Sequence, residues 1–137
     1  MKKVLLLAII VILCAGLLTV CQVTYPVSES DSYFERTIEL LSNGDIEAAR
    51  KLNCADKGST AEAELQFISE LLDSRKVISF KKTSSEISNR YSTGGPVVRE
   101  TAAYEVTLDD GAVVVLWTEY IDGHGVKGIT NIELQVD

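Results

Sequence analysis

Hydrophobic positions fall into three regimes along the chain. From Val4 to Val20 they are continuous and uncharged, behind Lys2 and Lys3. From about Ser32 they recur at helical spacing: "SYFE" (Ser32 to Glu35) has the capping-box pattern, and Phe34, Ile38 and Leu41 follow on one face. Asn43-Gly44 stops that helix, because Gly accepts the left-handed conformation of a C-cap. Asp45 caps a second helix, with Ile46, Ala49 and Leu52 on one face. "STAE" (Ser59 to Glu62) starts a third, with Leu65, Ile68, Leu71 and Leu72 as its stripe and Arg75 and Lys76 at its end. "NGDIEAARKL" is similar to the turn of a tetratricopeptide repeat, but no second copy follows, as a solenoid needs.

After Lys76 the period changes to two. "VISFKK" (Val77 to Lys82) is the first expected strand, and "STGGP" (Ser92 to Pro96) is loop chemistry. No lysine or helix follows those glycines, so they are not a phosphate loop. "VVRETAAYEVTL" (Val97 to Leu108), "AVVVLWTEYI" (Ala112 to Ile121) and "VKGITNIELQV" (Val126 to Val136) complete four strands. The fold class is α+β: an N-terminal apolar segment, then two or three helices packed on a curved four-stranded antiparallel sheet.

Turn lengths give a register. A two-residue turn at Asp110-Gly111 puts Tyr104 opposite Trp117 and Ala102 opposite Glu119. A four-residue loop from Asp122 to Gly125 puts Trp117 opposite Thr130. One face then collects Val98, Tyr104, Val106, Leu108, Val113, Val115, Trp117, Ile121, Ile132 and Leu134, and it is expected to meet the helices. Glu100 and Glu119 share that face. A carboxylate in an apolar cavity has its pKa raised and can act as acid or base. The candidate pocket is therefore Glu119, Glu100, Tyr104, Trp117 and Thr130, and no catalytic set is assigned beyond it.

The N-terminus sets the compartment. Lys2 and Lys3 before the apolar run make residues 1–23 a signal peptide or membrane anchor, with everything after Gln22 outside the cytoplasm. Cys21 ends "LLTVC", which resembles a bacterial lipobox with Leu18 in place and Val20 where a small residue is usual. Uncleaved anchor, lipidation at Cys21 and free secretion all remain open. Residues 24–31, with Pro26 and several serines, form a tether, and residues 32–137 form the folded domain. Cys54 is the domain's one thiol, a small buried hydrophobe on a helix or one half of an intermolecular disulfide.

Charge narrows the partners. The chain carries −7; without Lys2 and Lys3, 11 basic against 20 acidic side chains leave −9. That field repels a phosphate backbone, so nucleic acid is not an expected partner. His124, the one histidine, lies between glycines with no second ligand nearby, so neither a metal nor a cofactor is expected.

The order of elements, the capped helices and the closing "DGHGVKGITNIEL" resemble small bacterial envelope proteins of the ketosteroid-isomerase-like (nuclear-transport-factor-two-like, or cystatin-like) superfamily. Members close on a strand with tryptophan where this chain has Val126. The resemblance spans roughly residues 32–136, within the usual boundary error of a few residues. It implies a cystatin-like domain, with a curved sheet around the helices and a pocket at the open end. Two function classes follow: a membrane-attached envelope module that binds a protein partner or small apolar ligand, or a small pocket enzyme using Glu119 or Glu100.

Overall fold

A computed structural model describes residues 25, 27–53, 62–73 and 75–135. The apolar run, Cys21, Cys54 and most of the expected "STAE" cap lie outside them. Among the described residues there are three helices, α1 (Glu29–Ser42), α2 (Ile46–Leu52) and α3 (Glu62–Asp73). Four strands follow: β1 (Val77–Ser92), β2 (Gly95–Leu108), β3 (Val113–Gly123) and β4 (Val126–Gln135). The strands form one open antiparallel sheet in chain order, so the fold is α+β.

Helix α1 begins one turn before Ser32. Asp31 accepts the Ser28 backbone N–H at 2.8 Å, closing the first turn as a capping side chain does. The last residues of the expected tether are thus helix. Phe34, Thr37, Ile38 and Leu41 are buried along one stripe. The helix stops at Asn43-Gly44, with Gly44 at φ 76, and Asp45 caps α2 by accepting from the Ala48 N–H at 3.1 Å. Leu65, Ile68 and Leu72 bury the face of α3, and Ser69 donates to the Leu41 carbonyl at 2.8 Å.

These stripes meet the sheet through one aromatic stack. The Phe34 and Tyr104 rings lie parallel, 3.8 Å apart, with Phe80 edge-on to both. Val106, Leu108, Leu116, Ile129 and Ile132 complete the core.

The β2–β3 register differs from the expected one by a single residue. Tyr104 pairs with Leu116, and Trp117 pairs with Ala103. The loop holds three residues, Asp109 to Gly111: Leu108 N–H donates to the Ala112 carbonyl at 2.8 Å, and Gly111 N–H donates back to Leu108 at 3.0 Å. Gly111 at φ 82 supplies the left-handed residue that such a bulged turn requires. One extra loop residue inverts the faces of β3. Leu116, Thr118 and Tyr120 are buried, while Val113 and Trp117 are 56% and 39% exposed. The expected inward positions of Val113, Val115, Trp117, Ile121 and Glu119 are corrected accordingly.

The next hairpin also differs. Gly123 pairs with Val126 around a two-residue turn, in which His124 (φ 55) and Gly125 (φ 72) are both left-handed. Beyond it Tyr120 pairs with Ile129 and Glu119 with Asn131, leaving Thr130 as a bulge. The bulge switches parity a second time. Ile132 and Leu134 therefore face the core as expected, though by a different route.

Strand β1 is far longer than its apolar start. It runs to Ser92, with extra residues at Ile78 and Thr83, and pairs with β2 around Thr93-Gly94. From Glu86 to Ser92 both of its faces are exposed, so this part forms an arm held by backbone pairing.

Candidate functional site

The densest chemistry lies where the first turn of α1 meets β1 and β2. Parity brings Lys82, Ser85, Glu100 and Tyr104 to the helix side of the sheet, opposite Ser28, Ser30 and Asp31. Lys82 is 8% exposed and Glu100 3%. Lys82 Nζ donates to Glu100 Oε1 at 2.8 Å, Asp31 Oδ1 at 2.7 Å and Ser28 Oγ at 2.8 Å. Ser28 and Ser30 donate to Glu100 Oε2 at 2.8 and 2.6 Å, and Ser85 donates to Oε1 at 2.7 Å. Tyr104 donates to Asp31 Oδ1 at 2.7 Å.

Electrostatics follow from that geometry. Burial alone would raise the Glu100 carboxyl, but the bonds from Lys82 and from Ser30, Ser85 and Ser28 outweigh it and hold its pKa at about 2. This corrects the expected raised carboxylate. Burial, with the Asp31 charge beside it, pushes the Tyr104 hydroxyl far above its ordinary value. Three ammonium protons meet three acceptors, and four donors meet the Glu100 oxygens. With Glu100 held ionised and both of its oxygens filled, the set clamps α1 to the sheet.

Hollows lie elsewhere among the described residues. An open groove of about 820 Å³ separates α1 and the end of α3 from the free edge of β1. Ile38, Leu72, Val77 and Phe80 supply its apolar lining, and Ile78 is 66% exposed there. Glu35 and Glu39 line the α1 side. A smaller hollow of about 190 Å³ is bordered by Glu86, Arg99, Glu100, Glu119 and Thr130.

The five expected pocket residues therefore separate. Glu100 and Tyr104 belong to the buried cluster. Glu119 and Trp117 lie on the other face and are exposed, and the Trp117 indole donates to Gln135 at 2.6 Å. Thr130 donates to the Glu119 carbonyl at 3.3 Å. Glu100, Glu119 and Thr130 all border the smaller hollow, but the Glu100 oxygens point into the cluster. Ser28, Ser30, Asp31 and Lys82 are not singled out by the sequence. Lys82 carries a readable signal, since it shares strand parity with Phe80 and so must enter the core side with a counter-charge.

His124 accepts or donates through Nε2 to Ser92 Oγ at 2.6 Å, with its ring against Gly94. Both residues are exposed, and among the described residues no carboxylate orients the ring. The pair joins two hairpin tips without the third member a nucleophilic triad requires. Among the described residues no three His, Cys, Asp or Glu side chains group as metal ligands, and no helix is long and apolar enough to cross a membrane. No family model matches the chain, and no similar protein is found among curated proteins or solved structures.

Proposed function

We propose that this is an envelope-attached binding module, held to a membrane through its N-terminal segment, with its domain outside the cytoplasm. The groove beside β1 carries this reading. It combines an apolar lining, an exposed Ile78 and a strand edge with no neighbour among the described residues. Monomeric surfaces seldom leave such a combination open without a use. The rival acid–base enzyme draws no support from the carboxylates, because Glu100 is saturated and Glu119 is exposed. Three helices ahead of a four-stranded antiparallel meander support the resemblance to the ketosteroid-isomerase-like superfamily and its curved sheet.

The test is a photo-crosslinking side chain at position 78 in living cells, with a matched one at Glu105 on the opposite sheet face. Adducts formed from position 78 and not from 105 are expected. Equal labelling from both, or none from 78, refutes the module. Attachment is tested in parallel: the protein should fractionate with membranes and be digested in intact spheroplasts. Labelled fatty acid lost in Cys21→Ala selects lipidation over an uncleaved anchor.

A further inference from the structure

We infer that the groove takes an extended protein segment that turns both apolar and basic side chains toward the helices, seated beside Val77–Phe80 as a fifth strand. This rests on the binding-module reading above and narrows it to one chemistry.

Three observations converge. First, β1 is an edge strand, so one row of its backbone donors and acceptors has no strand partner among the described residues. An added segment gains main-chain hydrogen bonds there, whereas a small apolar ligand does not. Second, side chains in an added strand alternate in direction. Those turned toward the helices would meet Ile38, Leu72 and Phe80, which line the groove. Third, the rim is acidic. Glu35 and Glu39 stand on the helix side, and Asp73 and Asp109 stand at one end. Glu39 is paired with Arg36 at 2.6 Å and Arg75 with Asp110 at 3.4 Å, which leaves Glu35, Asp73 and Asp109 against Lys76. The excess of carboxylates favours a cationic segment.

A second copy of this chain fits less well. Two β1 edges paired across a two-fold axis would place both α1 helices on the same side of a continuous sheet. Glu35 and Glu39 of one copy would then face their equivalents in the other. A short segment avoids that repulsion.

The test uses the full-length chain in detergent micelles, with isoleucine methyl resonances as the readout. Three probes are titrated: an octapeptide of two Val-Ser-Lys-Ser repeats (the Val-Lys peptide), which turns Val and Lys to the same side, its Val-Glu counterpart, and the Val-Lys peptide with alternate backbone nitrogens methylated. The Val-Lys peptide should shift the Ile78 and Ile38 methyls. Each of the other two should bind at least about tenfold more weakly, having lost charge complementarity or main-chain pairing. Replacing Glu35→Gln and Glu39→Gln together should weaken the Val-Lys peptide about fivefold, as two exposed charge contacts allow, and flatten its salt dependence. Circular dichroism should stay unchanged, because both side chains are exposed.

Equal binding of the Val-Glu or methylated peptide overturns the strand-addition inference. So does an absence of peptide binding; if crosslinks from position 78 persist, the binding module survives it. Losing both the peptide response and the crosslinks removes both readings. If sedimentation instead shows a dimer that Ile78→Lys dissociates, the groove's occupant is a second copy and the inference fails.

Discussion

The Tyr104 hydroxyl donates to the Asp31 carboxylate at 2.7 Å, tying the middle of β2 to the first turn of α1. The same ring stacks on Phe34 at 3.8 Å, so one side chain serves both the apolar core and the ionic cluster. Tyr104→Phe keeps the stack and removes the bond. It should cost about 1.5–3 kcal/mol, the range for a hydrogen bond to a charged group. Tyr104→Ala should cost about 3–5 kcal/mol by emptying the core beside Phe34. Urea melts followed by circular dichroism separate the two effects.

Lys82 neutralises the buried Glu100 and the half-buried Asp31. Lys82→Met should destabilise the domain by about 3–5 kcal/mol, because Asp31 and Glu100 would then face each other uncompensated. Adding Glu100→Gln should recover part of that loss. The double-mutant cycle measures the coupling, and simple additivity would show that the two groups do not act together.

Acid should loosen the fold through Glu100. Its pKa is lowered from 4.5 to about 2, so the fold prefers the ionised form. That contribution is complete above about pH 4.5 and disappears as pH falls toward 2; a shift of this size corresponds to stabilisation on the order of 3 kcal/mol. Stability against pH should therefore decline through this window in the native protein. In Lys82→Met the same limb should be shallower, since the ammonium that favours the carboxylate is gone.

Truncation offers a stringent check on where the domain starts. A fragment from residue 25 retains Ser28, Ser30 and Asp31. One from residue 32 removes all three and strands Lys82 with Glu100. Thermal melting should show the longer fragment folded and the shorter one weaker by about 3–5 kcal/mol, as expected for a broken buried ion cluster.

The faces of β3 are tested by exchange. Leu116→Ala should cost about 2–5 kcal/mol, the usual range for a buried leucine. Trp117→Ala should cost less, about 1 kcal/mol, because the indole lies on the exposed face and loses chiefly its contact with Gln135. The reverse order in denaturant melts would refute the register.

The helix stripes, the stop at Asn43-Gly44 and the four-strand order were legible because each has a local cause: periodicity, a left-handed glycine, or a turn. The third helix instead stops at Asp73, short of the expected Arg75 and Lys76. The face of β3 was not. Residues 113–117 are apolar at every position, so alternation gives no preference and the length of one loop decides. Asp109-Asp110-Gly111 reads equally as a two- or three-residue turn, and the structure uses three. The outer half of β1 was missed for the opposite reason. "SSEISNRYS" is mostly polar, with only Ile87 and Tyr91 apolar and both exposed, and pairing with β2 makes it a strand. Glu100 was placed on the correct face, but its environment was not. Its cation and hydroxyls come from residues up to 72 positions away in the chain, and no local pattern brings them together.

Ser28 and Asp31 also mark the place where any pull from the N-terminal side enters the fold. Tension drawn through that side of the chain reaches α1 at Ser28 and loads the contacts with Lys82 and Glu100 before the aromatic core. Those short, directional bonds are stiff over small displacements and break together. The domain's mechanical strength under such a load is therefore set by this ionic latch, and its thermal strength mostly by the core behind it.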